Sequence, residues 1–205
     1  PLGPDELALS QAAFIREFGV GLMGGCCGTT PAHIAAIAKV AKETAAGVPV
    51  VSQEAGLASL YQHQPYRQDA TYFSIGERTN ANGSKAFREA MLAENWNECL
   101  EIAKEQAREG AHALDLCVDY VGRDGVRDMH EMASRLATAS TLPLVLDSTE
   151  PGVLQAGLEA YAGRALVNSV NFEDGDGPNS RYQRIMPLVR EHGAAVVALT
   201  IDEEG

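Results

Sequence analysis

Two adjacent cysteines, Cys26 and Cys27, lie within the glycine-rich segment GGCCGTTP at residues 24–31. Thiolates are preferred zinc ligands, and flanking glycines allow backbone conformations that aim neighbouring side chains at one point. The pair therefore indicates part of a zinc site. His33 is a weaker third candidate, because a histidine in a first helical turn is commonly a surface residue. Spacing alone leaves two alternatives open, a pair of small buried side chains and a vicinal disulfide.

A second set of candidate residues follows apolar segments that are typical of strands. Asp115, Asp147 and Asp202 each stand at the carboxyl end of such a segment, and Asn168 ends a fourth. The carboxyl ends of parallel strands meet at the edge of a sheet where ligands bind. Each residue alone could instead cap the next helix, but the four together favour a site. Because a carboxylate accepts two parallel hydrogen bonds, the set suits a guanidine-like or aminopyrimidine ring, such as that of a pterin.

Two further polar residues, Glu77 and Asn80, lie in the segment GERTN, which directly follows another apolar segment. This position would bring both side chains to the same cluster. The alternative is a polar loop that continues into the turn-forming pair Asn82-Gly83. Cys99 falls on the apolar face of a predicted helix, so we expect it to be buried and inert.

The elements that must position these residues form an alternation of short apolar segments and amphipathic helices. Strands are predicted at residues 72–75, 113–116, 142–146, 165–167 and 194–201, with helices at 84–93 and 95–110 among those between them. Asn95 is the predicted N-cap of the second helix, with Glu98 three residues later, and Gly110 ends it. The spacing predicts an α/β fold with five parallel strands. Periodicity leaves open whether they form a doubly wound sheet or the first five units of an eight-stranded barrel.

Residues 1–50 have a different pattern, with a predicted helix at 7–18, a short strand at 19–23 and an Ala-rich helix at 31–46. One strand-helix unit cannot bury its own apolar face, so we expect it to pack on other residues. Residues 51–70, rich in Gln, Tyr and His, are interpreted as an interdomain linker in which residues 55–60 could pack against a neighbour. Residues 71–205 form the second predicted domain.

Composition limits the class of protein. The 205 residues include 28 acidic and 16 basic side chains, a formal charge of −12, so nucleic acid is a poor partner. A hydrophobic content of 45% excludes disorder, and four cysteines are too few for a disulfide framework. No apolar stretch approaches the roughly 20 residues that cross a bilayer, and no signal peptide is evident, so we expect a cytoplasmic protein without a membrane partner. The first residue, Pro1, predicts a piece of a longer polypeptide.

Residues 24–34, GGCCGTTPAHI, resemble the closing strand and helix of the homocysteine-binding barrel in zinc-dependent methyltransferases. The segments IGERTN at 75–80, ALDL at 113–116, LDST at 146–149 and VNS at 167–169 resemble the pterin-binding barrel that methyltetrahydrofolate methyltransferases and dihydropteroate synthases share. Both modules in this order resemble the cobalamin-dependent methionine synthases. The resemblance implies portions of two (β/α)8 TIM barrels, namely the last strand-helix unit of the first and about five βα units of the second.

The same resemblance implies methyl transfer from 5-methyltetrahydrofolate, through cobalamin, to homocysteine, which yields tetrahydrofolate and methionine. Cys26 and Cys27 would bind zinc together with a third cysteine that precedes them in the family. No cysteine precedes Cys26 here, so the zinc site would be incomplete in this chain. Zinc would lower the pKa of the homocysteine thiol. Cobalamin would be bound by another domain of the same polypeptide.

For the pterin, the resemblance implies that Asp147, Asn168 and Asp202 hold the ring, with Asp115, Asn80 and Glu77 near it. Asn168, supported by Asp147, would polarise the methyl-bearing nitrogen and is with Asp147 the expected catalytic pair. Relatives commonly carry Asn at the position of Cys117, and a thiol cannot donate and accept as an amide does.

Three alternatives compete with this interpretation. A dihydropteroate synthase-like enzyme would share the strand-end residues but would not carry the Cys26-Cys27 segment. A betaine-dependent homocysteine methyltransferase would resemble the chain only to about residue 50. A non-catalytic α/β binding domain would use its aspartates only as helix caps.

Overall fold

The computed structural model describes residues 2–48 and 54–204. The chain forms two compact units, residues 1–53 and residues 54–205. None of the helices in the described ranges combines the length and the apolar character that crossing a membrane requires.

The first unit is a pair of packed helices, α1 (Pro4–Phe18) and α2 (Pro31–Glu43). Both helices were predicted, although α1 begins three residues earlier and α2 ends three residues earlier than the sequence indicated. Gly19 ends α1 in the left-handed conformation, at φ 62°. The predicted strand at residues 19–23 is wrong. A strand needs a partner for its backbone groups, and the described part of this unit contains no other strand.

The second unit begins with a hairpin of two antiparallel strands, β1 (Gly56–Ala58) and β2 (His63–Pro65). These strands lie in the segment interpreted as a linker, whose residues 51–53 fall outside the described residues. Leu57 of β1 is fully buried and packs among apolar side chains of the sheet, which are Ala113, Val145 and Leu166. The hairpin is therefore part of the core of this unit, and strands of three residues are too short to give a periodic signal.

Five parallel strands follow in sequential order: β3 (Ile75–Gly76), β4 (Ala113–Leu116), β5 (Leu144–Asp147), β6 (Leu166–Val170) and β7 (Ala195–Ala198). The predicted α/β class and the five-stranded parallel sheet are confirmed. The bounds of β4 match the prediction, whereas β3 includes only Ile75 of the predicted residues 72–75 and β7 ends three residues before residue 201. The central strands differ as well, since β5 begins two residues later than predicted and β6 ends three residues later.

Five helices lie between or beside these strands: α3 (Lys85–Leu92), α4 (Trp96–Arg108), α5 (Gly125–Ala139), α6 (Pro151–Ala160) and α7 (Arg181–Glu191). The predicted cap of α4 is confirmed, since Asn95 accepts a hydrogen bond from the Glu98 backbone N–H at 3.4 Å. Gly110, at φ 93°, follows the end of α4. The apolar faces of these helices cover one side of the sheet.

The alternation of side chains along the strands decides which residues face the helices. Leu114 and Leu116 of β4 belong to the core that packs against helices. Ala113 of the same strand instead packs with Leu57 of the hairpin. Asp115, two residues later, therefore points to the same side of the sheet as Ala113. By the same alternation, Asp147 follows Val145. Both aspartates therefore lie on the helix-free side of the sheet, near the carboxyl ends of their strands.

Candidate functional site

Asn80 joins two aspartates near the carboxyl ends of β4 and β5. Its Nδ2 donates to Asp115 Oδ2 at 2.7 Å and to Asp147 Oδ2 at 3.1 Å. Its Oδ1 accepts from the backbone N–H groups of Asn82 at 2.9 Å and Gly83 at 3.1 Å. The two backbone donors fix which end of the amide faces the carboxylates. Asn80 is therefore a neutral bridge that holds two acidic groups close together.

Asp115 is the most deeply buried acid of this cluster, with 3% of its surface exposed. Burial raises the pKa of its carboxyl from 3.8 to about 6, the Asn80 hydrogen bond opposes this, and the charges of Asp147 and Glu77 add to it. Its Oδ1 is buried and has no hydrogen-bond partner among the described residues. A buried acceptor without a partner is costly, so this oxygen is placed to receive a donor from a ligand.

The loop that carries Asn80 is held by buried polar residues that sequence reasoning missed. Thr79 Oγ1 donates to the Asp115 carbonyl oxygen at 2.6 Å, and Gln106 Nε2 donates to Thr79 Oγ1 at 3.3 Å. Gln106 Oε1 accepts from the Arg78 backbone N–H at 2.6 Å. A Cβ at Gly76 would lie 2.6 Å from the same oxygen, so a larger residue there would displace the Gln106 amide. The available signal was Gln106 itself, a polar residue on the apolar face of α4.

Asp147 is half-buried, and burial raises the pKa of its carboxyl, while the Asn80 hydrogen bond lowers it. Cys117 lies beside it, fully inside the protein, and Asn82 Nδ2 lies 3.5 Å from its Sγ. Burial raises the pKa of the Cys117 thiol to about 12, so this thiol is protonated at neutral pH. Cys99 is also buried, as expected, and burial raises its pKa to about 11.

A cavity of about 160 Å³ lies on the helix-free side of the sheet and is lined by three of the predicted site residues, Glu77, Asp115 and Asn168. Asn168 pairs in register with Asp147 on the neighbouring strand. Apolar side chains of Ile75, Val145 and Val197 complete the lining. The structure thus brings Asn80, Asp115, Asp147, Asn168 and Glu77 to one region, which is called the aspartate cluster below. Glu77 itself is exposed.

Asp202 does not join this cluster. It is exposed, four residues beyond the end of β7, and its Oδ1 accepts from the Glu204 backbone N–H at 3.0 Å. It lines a different cavity, of about 320 Å³, together with Phe172, Asp176 and Glu203. The sequence placed Asp202 at a strand end because the apolar run was taken to continue to residue 201.

A cavity of about 570 Å³ is lined by residues of the loops that follow β4 and β5, including Asp119, Tyr120 and Thr149. Asp119 is a polar residue that sequence reasoning missed. It accepts from Ser148 Oγ at 2.8 Å and from the Thr149 backbone N–H at 3.3 Å. Asp119 therefore ties the two loops together beside the aspartate cluster.

In the first unit, Cys26 and Cys27 are both exposed and free, with their Sγ atoms 3.9 Å apart. The alternatives of a buried pair and of a vicinal disulfide do not describe this structure. A tetrahedral zinc ion with Zn–S bonds of about 2.3 Å places two sulfurs about 3.8 Å apart, so the pair fits two of its four positions. His33 instead accepts from the Thr30 backbone N–H at 3.1 Å at the start of α2. Within residues 2–48 and 54–204, no group of three or more ligating side chains could hold a metal.

Comparisons with known proteins agree with this division of the chain. Residues 76–205 match the family described as "Pterin binding enzyme", and residues 1–41 match "Homocysteine S-methyltransferase". Over 205 residues the chain is 65% identical to the methionine synthase of Mycobacterium tuberculosis, covering 100% of this chain and 17% of that protein. It is 62% identical over 210 residues to the methionine synthase of Mycobacterium leprae, again covering 17% of that protein. The chain thus spans about a sixth of the length of these relatives.

The match to the pterin-binding family covers more than half of the chain and includes every residue of the aspartate cluster. Sequence and geometry therefore agree on the part of the molecule that carries the site. The chain belongs to the pterin binding enzyme family.

Proposed function

We propose that this chain is part of a cobalamin-dependent methionine synthase, in which residues 71–205 supply the first five βα units of a barrel that binds 5-methyltetrahydrofolate. Residues 1–50 would be the carboxyl-terminal end of a homocysteine-binding barrel, and residues 51–70, which include the hairpin, would lead into the second barrel. Support comes from the high identity to two methionine synthases along the whole chain and from the two family matches in this order. A dihydropteroate synthase would not account for the match at residues 1–41.

The observation that carries the proposal is the pair of carboxylates bridged by Asn80. A pterin presents adjacent N–H donors on its aminopyrimidine edge, and a carboxylate accepts such donors in parallel. Asp115 Oδ1 is buried beside the cavity and has no partner among the described residues, and Asp147 stands on the adjacent strand. A bound pterin would satisfy the unpaired oxygen, so the energy lost by leaving it unpaired in the free protein would be recovered on binding.

Methyl transfer requires that a poor leaving group be improved. When the bond between the methyl carbon and the pterin nitrogen breaks, its electron pair stays on the nitrogen, which must gain a proton or a hydrogen bond. In the proposal, the Asn168 amide donates toward this nitrogen while Asp147, its partner in register, orients the amide. Cobalamin, held by another domain, would supply the methyl acceptor.

The first unit would serve the second substrate, homocysteine. Cys26 and Cys27 would be two of the protein ligands of a zinc ion, as their exposure and sulfur spacing permit. Zinc, when bound, lowers the pKa of the homocysteine thiol so that the nucleophilic thiolate exists at neutral pH. The described residues supply no third ligand, so the proposal assigns the remaining ligands to other parts of the parent polypeptide.

The test is a calorimetric titration of the full-length parent polypeptide with 5-methyltetrahydrofolate. Asp147→Asn should weaken binding at least about tenfold, because one charged acceptor of the pterin edge is lost. Asp69→Asn is the matched control, since Asp69 is exposed in the same unit and has the same charge change. Unchanged affinity in the Asp147 variant would reject this site for the pterin.

A further inference from the structure

Arg181, the first residue of α7, connects the ends of two strands. Its Nε donates to the Ser169 carbonyl oxygen at 2.9 Å, and its Nη2 donates to the Ser148 carbonyl oxygen at 3.1 Å. Ser148 directly follows Asp147, and Ser169 directly follows Asn168. We propose that Arg181 is a positioning residue of the pterin site, which sets the spacing of Asp147 and Asn168 by holding the backbone immediately after each. This inference rests on the proposed function.

The sheet does not by itself hold these two carbonyl groups. The register between β5 and β6 runs up to the pair of Asp147 and Asn168, so the first carbonyl group lies beyond the end of β5. The register between β6 and β7 is irregular between Val167 and Val170, and the second carbonyl group lies in that stretch. Backbone groups outside a regular ladder need another partner. A guanidinium supplies two donors in one rigid plane, so one side chain satisfies both groups and fixes their separation.

The location of Arg181 is otherwise unfavourable for a helix, because a positive side chain at the amino end opposes the helix dipole. The helix start is secured without the guanidinium. Asp174 Oδ2 accepts from the Arg181 backbone N–H at 2.8 Å, and Ser180 Oγ accepts from the Gln183 backbone N–H at 3.3 Å. The side chain is therefore free to bond the strand ends, and a locally unfavourable choice of this kind is typical of functional positions.

The charge of Arg181 also acts on Asp147. Burial and the negative charge of Asp119 raise the pKa of the Asp147 carboxyl, and the Asn80 hydrogen bond and the positive charge of Arg181 lower it. The other titratable groups that face this cluster include no base, and they are Asp115, Asp119, Glu77 and Cys117. Arg181 therefore favours the ionised carboxylate that the pterin edge requires.

Two replacements separate the charge of Arg181 from its geometry. Arg181→Gln removes the charge, whereas Arg181→Lys keeps the charge but lacks the second coplanar donor arm. Arg164 is the matched control residue. Its guanidinium also spans two carbonyl groups, those of Gly193 at 3.2 Å and Gly56 at 2.8 Å, but it lies near the amino end of β6, opposite the site.

The first readout needs no ligand. Carbon-13 NMR of the 205-residue chain measures the pKa of the Asp147 carboxyl, whose signal is assigned by its loss in Asp147→Asn. Arg181→Gln should raise this pKa, and Arg181→Lys should leave it close to the wild-type value. Arg164→Gln should not change it. An unchanged pKa in Arg181→Gln would overturn the inferred effect of the Arg181 charge on Asp147.

The second readout is 5-methyltetrahydrofolate binding by the full-length polypeptide between about pH 5 and pH 8. Binding needs the ionised carboxylates, so it is lost as the pH falls through the pKa values of Asp115 and Asp147. In Arg181→Gln the midpoint of the loss that Asp147 causes should move to a higher pH, whereas the loss that Asp115 causes should not move. Arg181→Lys should keep the midpoint but bind about tenfold more weakly, while Arg164→Lys keeps the wild-type affinity.

Wild-type affinity in Arg181→Lys would refute the positioning role. Absence of binding by the wild-type polypeptide would instead reject the proposed function, and the NMR measurement would still decide whether Arg181 acts on Asp147.

Discussion

Replacing Asp115 with Asn is expected to stabilise the protein while it weakens the site. The folded protein holds this carboxyl at a pKa of about 6, against a usual value of 3.8. Between these values the folded chain keeps a proton that the unfolded chain has released, so the free energy of unfolding falls as the pH rises. At about 1.4 kcal/mol per pKa unit, the ionised carboxyl costs about 3 kcal/mol above pH 7. Asn is neutral at every pH and avoids this cost.

The single tryptophan gives a direct assay of the relevant unit. Trp96, in α4, packs against the core that covers the sheet, so its fluorescence reports on the unfolding of residues 54–205. In urea unfolding of the wild type at about pH 5, 6, 7 and 8, the free energy of unfolding should fall as the pH rises. Over this range it should fall by roughly half of the total of about 3 kcal/mol, because the other half is lost below pH 5. At pH 7 the Asp115→Asn variant should exceed the wild type by about 2 kcal/mol, since its new amide group still lacks a partner.

Two results would refute this reasoning. One is a variant whose stability depends on pH as steeply as that of the wild type, and the other is a variant that is less stable at pH 7. Asp69→Asn serves as the control for a change of net charge, and it should follow the wild-type pH dependence. Asp115→Asn should also bind 5-methyltetrahydrofolate at least about tenfold more weakly, because stability is gained by removing the acceptor that the ligand needs.

Two further predictions concern parts of the chain outside the cluster. Arg123 donates two hydrogen bonds of 2.7 Å to Asp128, whose side chain is fully buried, so Arg123→Met should lower the free energy of unfolding by about 3 kcal/mol in the same assay, and a loss below about 1 kcal/mol would contradict this. Of the four thiols, Cys26 and Cys27 should react with a disulfide reagent at about pH 8 in the folded protein. Cys99 and Cys117 should react only after denaturation, because burial raises their pKa values to about 11 and about 12. Four fast-reacting thiols in the folded protein would contradict the buried positions.

Local rules predict most of the site from the sequence alone. Asp115, Asp147 and Asn168 lie in the carboxyl-terminal parts of apolar strands, and parallel strands have to bring these parts to one edge. The prediction for Asp202 depended on where the last strand stops, which an apolar run cannot define at an edge strand. The hairpin escaped prediction for a related reason, since its short strands are defined by contacts with distant residues such as Leu57 with Val145.

The residues that sequence reasoning missed act through other residues rather than through a ligand. Gln106 lies on a helix 26 residues beyond Asn80 in the chain, yet it holds the loop that carries Asn80 through Thr79. Asp119 and Arg181 bond to groups that come together only when the strands are in register. No pattern of nearby residues encodes such contacts, because they depend on the tertiary fold.

The two ends of the sheet differ in how completely their polar groups are satisfied. At the end covered by the hairpin, Arg164 donates to two carbonyl groups and the Tyr161 hydroxyl donates to the Ala58 carbonyl oxygen at 3.1 Å. At the opposite end, a buried oxygen of Asp115 has no partner in the described chain. Residues selected only for stability would leave neither a raised carboxyl pKa nor an arginine at a helix start. The unfavourable terms at this end lie where a ligand with paired N–H donors would remove them, which is the physical argument for a binding site there.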